Sequence, residues 1–173
     1  MALRKSKLSQ WRLLYVRFEN NFQLKNLEKN LIKETILNEK INLLCMQESE
    51  INKNLDHSLL SFPGFNIETE NNTSVSRVAV YVDTRINYVR RGDLEGFDSN
   101  LMVMDLMGPN QVRIINVYRS FSPQHYTNQR DKFLYQLQLI KAAMNASTIV
   151  LGDFNLDWAR RFDAFVFRQT HIC

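Results

Sequence analysis

The chain has 173 residues, 45% of them hydrophobic, enough to fill the core of one ordinary domain and too many for a disordered chain. Lysine and arginine outnumber aspartate and glutamate by 22 to 18, and a net charge of +4 suits a polyanionic partner without demanding one. Apolar runs such as INLLC and TIVLG are too short to span a bilayer, and the N-terminal MALRKSKLSQWRLLYV lacks the continuous apolar stretch of a secretory signal. Cys45 and Cys173 make no disulfide framework and have no metal-ligand spacing, so the sequence predicts an intracellular protein, nuclear or cytoplasmic, not secreted, with no membrane contact and no disulfide-linked partner. In that setting the Asn-x-Ser/Thr triplets at Asn71, Asn72 and Asn145 are incidental.

In chain order, LLYVRF (Leu13 to Phe18) reads as a first strand, and Leu24, Leu27, Leu31 and Ile36 recur at nearly helical spacing after it. INLLCMQ (Ile41 to Gln47) is a short apolar run of the kind buried on both faces, and it puts Glu48 at a strand's C-terminal end. A turn at Pro63–Phe65 and the polar loop ENNTS precede RVAVYVD, whose alternation places Val78, Val80 and Val82 on one face. LMVMDL and VRIINVY follow as two strands around the turn GPNQ. Phe133, Leu137, Ile140 and Met144 form one helical stripe, and TIVLG is the last strand, with Asp153 just beyond it. Strands in pairs with helices between some of them predict an α/β or α+β arrangement of sheet layers covered by helices.

The two acids at strand exits are the candidates for chemistry, because ligands of open α/β sheets gather at that edge. A hydrated Mg²⁺ needs only one or two protein carboxylates when phosphate oxygens complete its shell, a task that suits Glu48. Asp153 is placed to orient or deprotonate water, and Asn155 to point its amide at a phosphate oxygen, both on one side of an extended segment if the strand continues. Gly-Asp-x-Asn is equally the composition of a plain turn.

Taken together and in order, LLCMQES, IINVYRSFSP and IVLGDFNLDW resemble successive motifs of the endonuclease/exonuclease/phosphatase superfamily. SRVAVYVD, INVYR and the helix RDKFLYQLQLI before GDFNLDW resemble its branch of LINE-type retrotransposon endonucleases most. The resemblance runs from about Leu13 to the end of the chain. It implies two packed β-sheets flanked by helices, as in deoxyribonuclease I, and metal-dependent hydrolysis of DNA phosphodiesters with Mg²⁺ or Mn²⁺. It also implies a reverse transcriptase region in a longer parent polyprotein. Carried over residue by residue, it makes Glu48 the metal ligand, sets Tyr118 near the scissile phosphate and lets Asp153 align the water. Asn155 then contacts the phosphate, and Arg119 stands with them at the substrate.

The sequence also departs from the family pattern. Where members carry an Asn-x-Asn or Asn-x-Asp pair after the first strand, RFENNF offers Phe18, which cannot ligate, and Asn20, either a second metal ligand or part of a plain strand-to-helix connection. No Ser-Asp-His follows GDFN; His171 has no preceding Asp, His57 comes too early in the order and His125 reads as a surface residue. Asp157, Arg160 and Arg161 read as solvated loop charges. The expectation is therefore a single, C-terminally incomplete domain over residues 1–173 with impaired nuclease activity. The alternatives are an inactive remnant or weak nucleic-acid-binding module, and a phosphatase or phosphodiesterase acting on phosphoinositides, sphingolipids or poly(A).

Overall fold

The computed structural model describes residues 2–8, 11–17, 26–52, 54, 60–70, 74–97, 99–119, 128–145, 147–155 and 167–168. Among the described residues ten strands and two α-helices succeed one another as β1 (Ala2–Leu8), β2 (Trp11–Arg17), α1 (Asn26–Glu39), β3 (Leu43–Asn52), β4 (Phe65–Thr69), β5 (Val75–Asp83), β6 (Tyr88–Arg90), β7 (Leu101–Leu106), β8 (Val112–Tyr118), α2 (Gln129–Ala143), β9 (Thr148–Asp153) and β10 (Phe167–Arg168). They form two sheets of five strands, β1-β2-β3-β5-β4 and β10-β9-β8-β7-β6. Each sheet contains one parallel pair joined through a helix, β2-α1-β3 in the first and β8-α2-β9 in the second; every other pairing is antiparallel.

Period-two alternation explains how four layers stack. Leu43, Cys45, Val78, Val80 and Val82 of the first sheet meet Met102, Met104, Leu106, Ile114 and Tyr118 of the second in a shared core. The intervening residues Leu44, Met46, Ala79 and Tyr81 turn outward onto Ile32 and Ile36 of α1. On the far side Leu101, Val103, Ile115, Val117 and Val150 pack on Ile140 and Ala143 of α2. Covered on both faces, β7 is buried at all six positions, which is why LMVMDL shows no apolar–polar alternation. Its one charge, Asp105, is clasped by Nε and Nη2 of Arg113 at 2.6 and 2.7 Å, and Arg113 Nη1 donates to the carbonyl of Ala143 at the end of α2. The guanidinium holds the Asp105 carboxyl below the usual carboxylate range.

Both helices are turned from the orientation their leucines predict. In α1 the inward residues are Ile32 and Ile36 while Leu31 is 46% exposed, and in α2 they are Gln136, Ile140 and Ala143 while Leu137 is 40% exposed. The reason in α2 is polar: Gln136 Nε2 donates to the carbonyls of Ser99 and Tyr118 at 2.5 and 3.0 Å, and these contacts set the roll of the helix. Asn128 caps its start, accepting the Asp131 N–H at 2.9 Å. The strand predicted from Leu13 begins earlier, at Trp11, and β1, β4, β6 and β10 join the predicted set, so TIVLG is not the last strand. The turn after Pro63 is made by Gly64 at φ 83°.

Gly152 is a residue of close approach. It lies opposite Val117 in the parallel β8–β9 pair, and a Cβ there would collide with the Val117 carbonyl oxygen and Cγ1. Gly152→Ala is expected to cost about 1–3 kcal/mol by forcing β8 and β9 apart, measured as a lowered urea midpoint. An unchanged midpoint would mean that the pair tolerates the methyl.

Candidate active site

The site forms where β8 and β9 end together beside a break in the β3–β5 ladder. Gln47 pairs with Val78 and the next pair is Ile51 with Ser76, so three residues of β3, 48–50, face the single Arg77 of β5. Strict alternation would send Glu48 toward α1 with Leu44 and Met46. Instead Glu48 takes a left-handed φ of 54°, a conformation that costs a non-glycine residue on the order of 1–3 kcal/mol and is typically retained where function uses it. Glu48 thus lies inside an irregular stretch of β3 rather than at the strand's terminus.

The turned carboxylate acts on the hydroxyl of Tyr118, which projects from the inner face of β8 and is 7% exposed. Burial pushes the Tyr118 hydroxyl up to about 12; the negative charges of Glu48 and Asp153 push the same way, and Arg77 opposes them. Tyr118 is consequently a neutral hydrogen-bond donor throughout the physiological range. Asp153 pairs with Tyr118 in the β8–β9 register and is 3% exposed. Glu48 and Asp153, from different strands and different sheets, therefore both act on Tyr118.

Beyond Asp153 the chain turns. Asp153 Oδ1 accepts the backbone N–H of Asn155 at 2.9 Å, and Asn155 is left-handed at φ 44°. The extended geometry expected for this pair gives way to an Asx turn, so GDFN is a turn and a candidate site at once. Asn155 Nδ2 donates to the Arg119 carbonyl at 2.6 Å, which fixes the amide plane beside Asp153. Arg119 itself reaches inward: Nη1 donates to the carbonyls of Phe154 and Asn155, each at 3.3 Å, and its guanidinium carbon lies 4.6 Å from the ring centroid of Phe133.

Beneath these residues lies a polar link that the sequence reading missed. Asn116 Oδ1 accepts from Gln47 Nε2, and Asn116 Nδ2 donates to the carbonyls of Met46 and Ala79 at 3.1 and 3.2 Å, so one side chain of β8 is bonded to both central strands of the opposite sheet. Gln47 and Asn116 are fully buried. Their signal was present: each polar residue occupies an inward position of an otherwise apolar strand, where burial requires a partner. Arg77 was missed because nothing in SRVAVYVD reveals the bulge it faces. Phe18, Asn20, His57, His125, Asp157, Arg160, Arg161 and His171 lie outside the described residues.

The donor set bears on a metal. Among the described residues no group of three or more His, Cys, Asp or Glu side chains converges. What the site offers is the half-buried Glu48 carboxylate, and the Asp153 carboxylate that acts on the same Tyr118 hydroxyl. One or two hard oxygen donors fit a hydrated Mg²⁺ or Mn²⁺, which keeps several waters, and not Zn²⁺ held in a closed cage of four protein ligands.

A model of the endonuclease/exonuclease/phosphatase family matches residues 16–171. The chain belongs to this family. Solved structures show its fold: the endonuclease domain of TRAS1, a telomere-specific non-LTR retrotransposon, has a TM-score of 0.63 at 16% identity over 86% of this chain and 62% of that one. A humanized TDP2 of D. rerio gives a TM-score of 0.58 at 13% identity over 85% and 63%, and the AP endonuclease LMAP of Leishmania major gives 0.57 at 16% over 91% and 59%. The family member described here thus spans less than two thirds of the length of these structures. No curated protein matches the sequence. Among the described residues no helix is long and apolar enough to cross a membrane.

Proposed function

We propose that this family member is a divalent-metal-dependent phosphodiesterase that nicks DNA, of the retrotransposon endonuclease branch. The observation that carries the reading is the meeting of Glu48, Tyr118 and Asp153 at one end of the sandwich, with Asn155 tied to Asp153. Two of the three fold likenesses above are to proteins named as endonucleases, one of them a retrotransposon domain, which supports this branch.

In this reading Glu48 holds the metal, and Mg²⁺ or Mn²⁺ supplies positive charge against that building on the phosphate and leaving oxygen. Asp153 orients a water for in-line attack and takes its proton. Tyr118 and Asn155 present neutral donors to the phosphate oxygens, Tyr118 from the hydroxyl that faces Glu48 and Asn155 from an amide whose plane is already set. Conversion of supercoiled plasmid to open circle, Mg²⁺-dependent and abolished by EDTA, is the expected result. Absence of nicking from both the purified protein and a version extended with the C-terminal portion of a related endonuclease would overturn the reading.

Glu48→Gln is expected to weaken Mg²⁺ binding by roughly 10-fold or more, since losing even an outer-shell partner of a metal typically costs that much. Isothermal titration calorimetry measures it. The same variant removes a negative charge beside Tyr118, so the phenol pKa should fall below about 12, followed by phenolate absorbance. Unchanged Mg²⁺ affinity in a folded Glu48→Gln protein would remove Glu48 as the ligand.

A further inference from the structure

We infer that Arg119 is a positioning residue that locks the Asp153–Asn155 turn to helix α2, not a contact to the substrate. The inference rests on the phosphodiesterase reading. Arg119 follows Tyr118 directly, where a cation beside a phosphate site suggests an anion contact, yet its bonds run into the protein. Its backbone N–H donates to the Asp153 carbonyl at 2.8 Å, extending the β8–β9 ladder by one bond. Its backbone carbonyl accepts from Asn155 Nδ2, and Nη1 returns to the carbonyls of Phe154 and Asn155. Arg119 therefore grips the turn through main chain and side chain together.

The other end of the grip is α2. Phe133 stacks under the guanidinium and Gln136, three residues on and so on the same helix face, binds the Tyr118 carbonyl. Helix and turn are thus joined through the Tyr118–Arg119 pair, whose two side chains diverge, one to Glu48 and the other to Phe133. Arginine suits this place because its planar group stacks on a ring while donating in that plane; lysine does neither as well. Arg119 Nε is buried with no hydrogen-bond acceptor among the described residues, a donor left unmet while Nη1 holds two carbonyls.

The test compares the parent protein with Arg119→Met, which keeps an apolar stem and removes every side-chain donor, and Arg119→Lys. Arg119→Met is expected to lower kcat for nicking roughly 30–100-fold, the scale of an ångström misplacement of catalytic groups, with KM within twofold. Affinity for duplex DNA by fluorescence anisotropy should stay within twofold with its salt dependence unchanged. A phosphate contact would instead weaken binding and reduce the salt slope by about 1. Native-state amide exchange supplies a readout independent of activity. The Asn155 and Arg119 amides should lose protection about 10-fold in Arg119→Met, partly recovered in Arg119→Lys, while core amides and the urea midpoint hold, the size of one lost stabilising contact of about 1.4 kcal/mol. Loss of protection throughout, protection unchanged at Asn155, or weakened DNA binding with a smaller salt slope would each overturn the inference. Absence of nicking from both the protein and its C-terminally extended version would sink the phosphodiesterase reading and leave the exchange comparison to decide the grip.

Discussion

Asp153→Asn is expected to lower Mg²⁺-dependent nicking by about 10²–10⁴, the usual contribution of a placed general base. The substitution is close to isosteric. The amide oxygen of the new side chain would still accept the Asn155 N–H, so the turn is expected to survive and the loss to lie in proton transfer and not in folding. Charge is what changes. Asp153 is 3% exposed, and a buried carboxylate beside Tyr118 can draw a proton from water where an amide cannot. Plasmid nicking by parent and variant, beside their urea midpoints, separates chemistry from stability. A variant that nicks as fast as the parent would show that Asp153 is not the base and would return GDFN to a plain turn.

Asn116→Leu is expected to destabilise the protein by about 3 kcal/mol or more, the largest effect on stability foreseen for one residue. The side chain makes three bonds across the sandwich, and its loss strands the buried Gln47 amide, whose Oε1 already has no hydrogen-bond partner among the described residues. Each buried polar group left unmet costs about 1–3 kcal/mol, whereas replacing both partners by apolar groups of similar shape is often nearly neutral. The double substitution Gln47→Leu with Asn116→Leu is therefore expected to be less destabilised than the sum of the two singles, a non-additivity read from a double-mutant cycle by urea denaturation. A single Asn116→Leu within about 0.5 kcal/mol of the parent would mean that the bonds across the sheets contribute little, as surface substitutions do.

How much of this was legible in the sequence depended on period and on context. The strands LMVMDL and VRIINVY were readable to the residue because short apolar runs bounded by a turn have few alternatives. The inward set Val78, Val80 and Val82 followed from alternation alone. The helices were placed, but their roll was not, since Leu31 and Leu137 look like core residues until Gln136 is seen bonding two carbonyls. Within the site, motif order brought Glu48, Tyr118 and Asp153 onto one list although no local pattern relates them. The means by which they meet could not be read: the break after Gln47, the left-handed Glu48 and the bond from Asn116 to the other sheet depend on partners far along the chain. Arg119 shows the same limit. Its charge was visible, and its inward direction was decided by Phe133 and by two carbonyls that exist only once the turn has formed.

Each sheet is continuous in sequence, residues 2–83 supplying the strands of one and residues 88–168 those of the other. A cut in the turn at 84–87 would leave Glu48 on one polypeptide and Tyr118 with Asp153 on the other. Neither half owns the chemistry. Within each half the strand–helix–strand crossover joins neighbours along the chain, while Glu48 and Asp153 must be closed across a far longer loop, and distant closures of this kind are the slow ones in folding. A nascent N-terminal half therefore carries only one of the two site carboxylates, and the hydrolysis proposed for this protein would belong to the seam between two separately wound layers rather than to either layer.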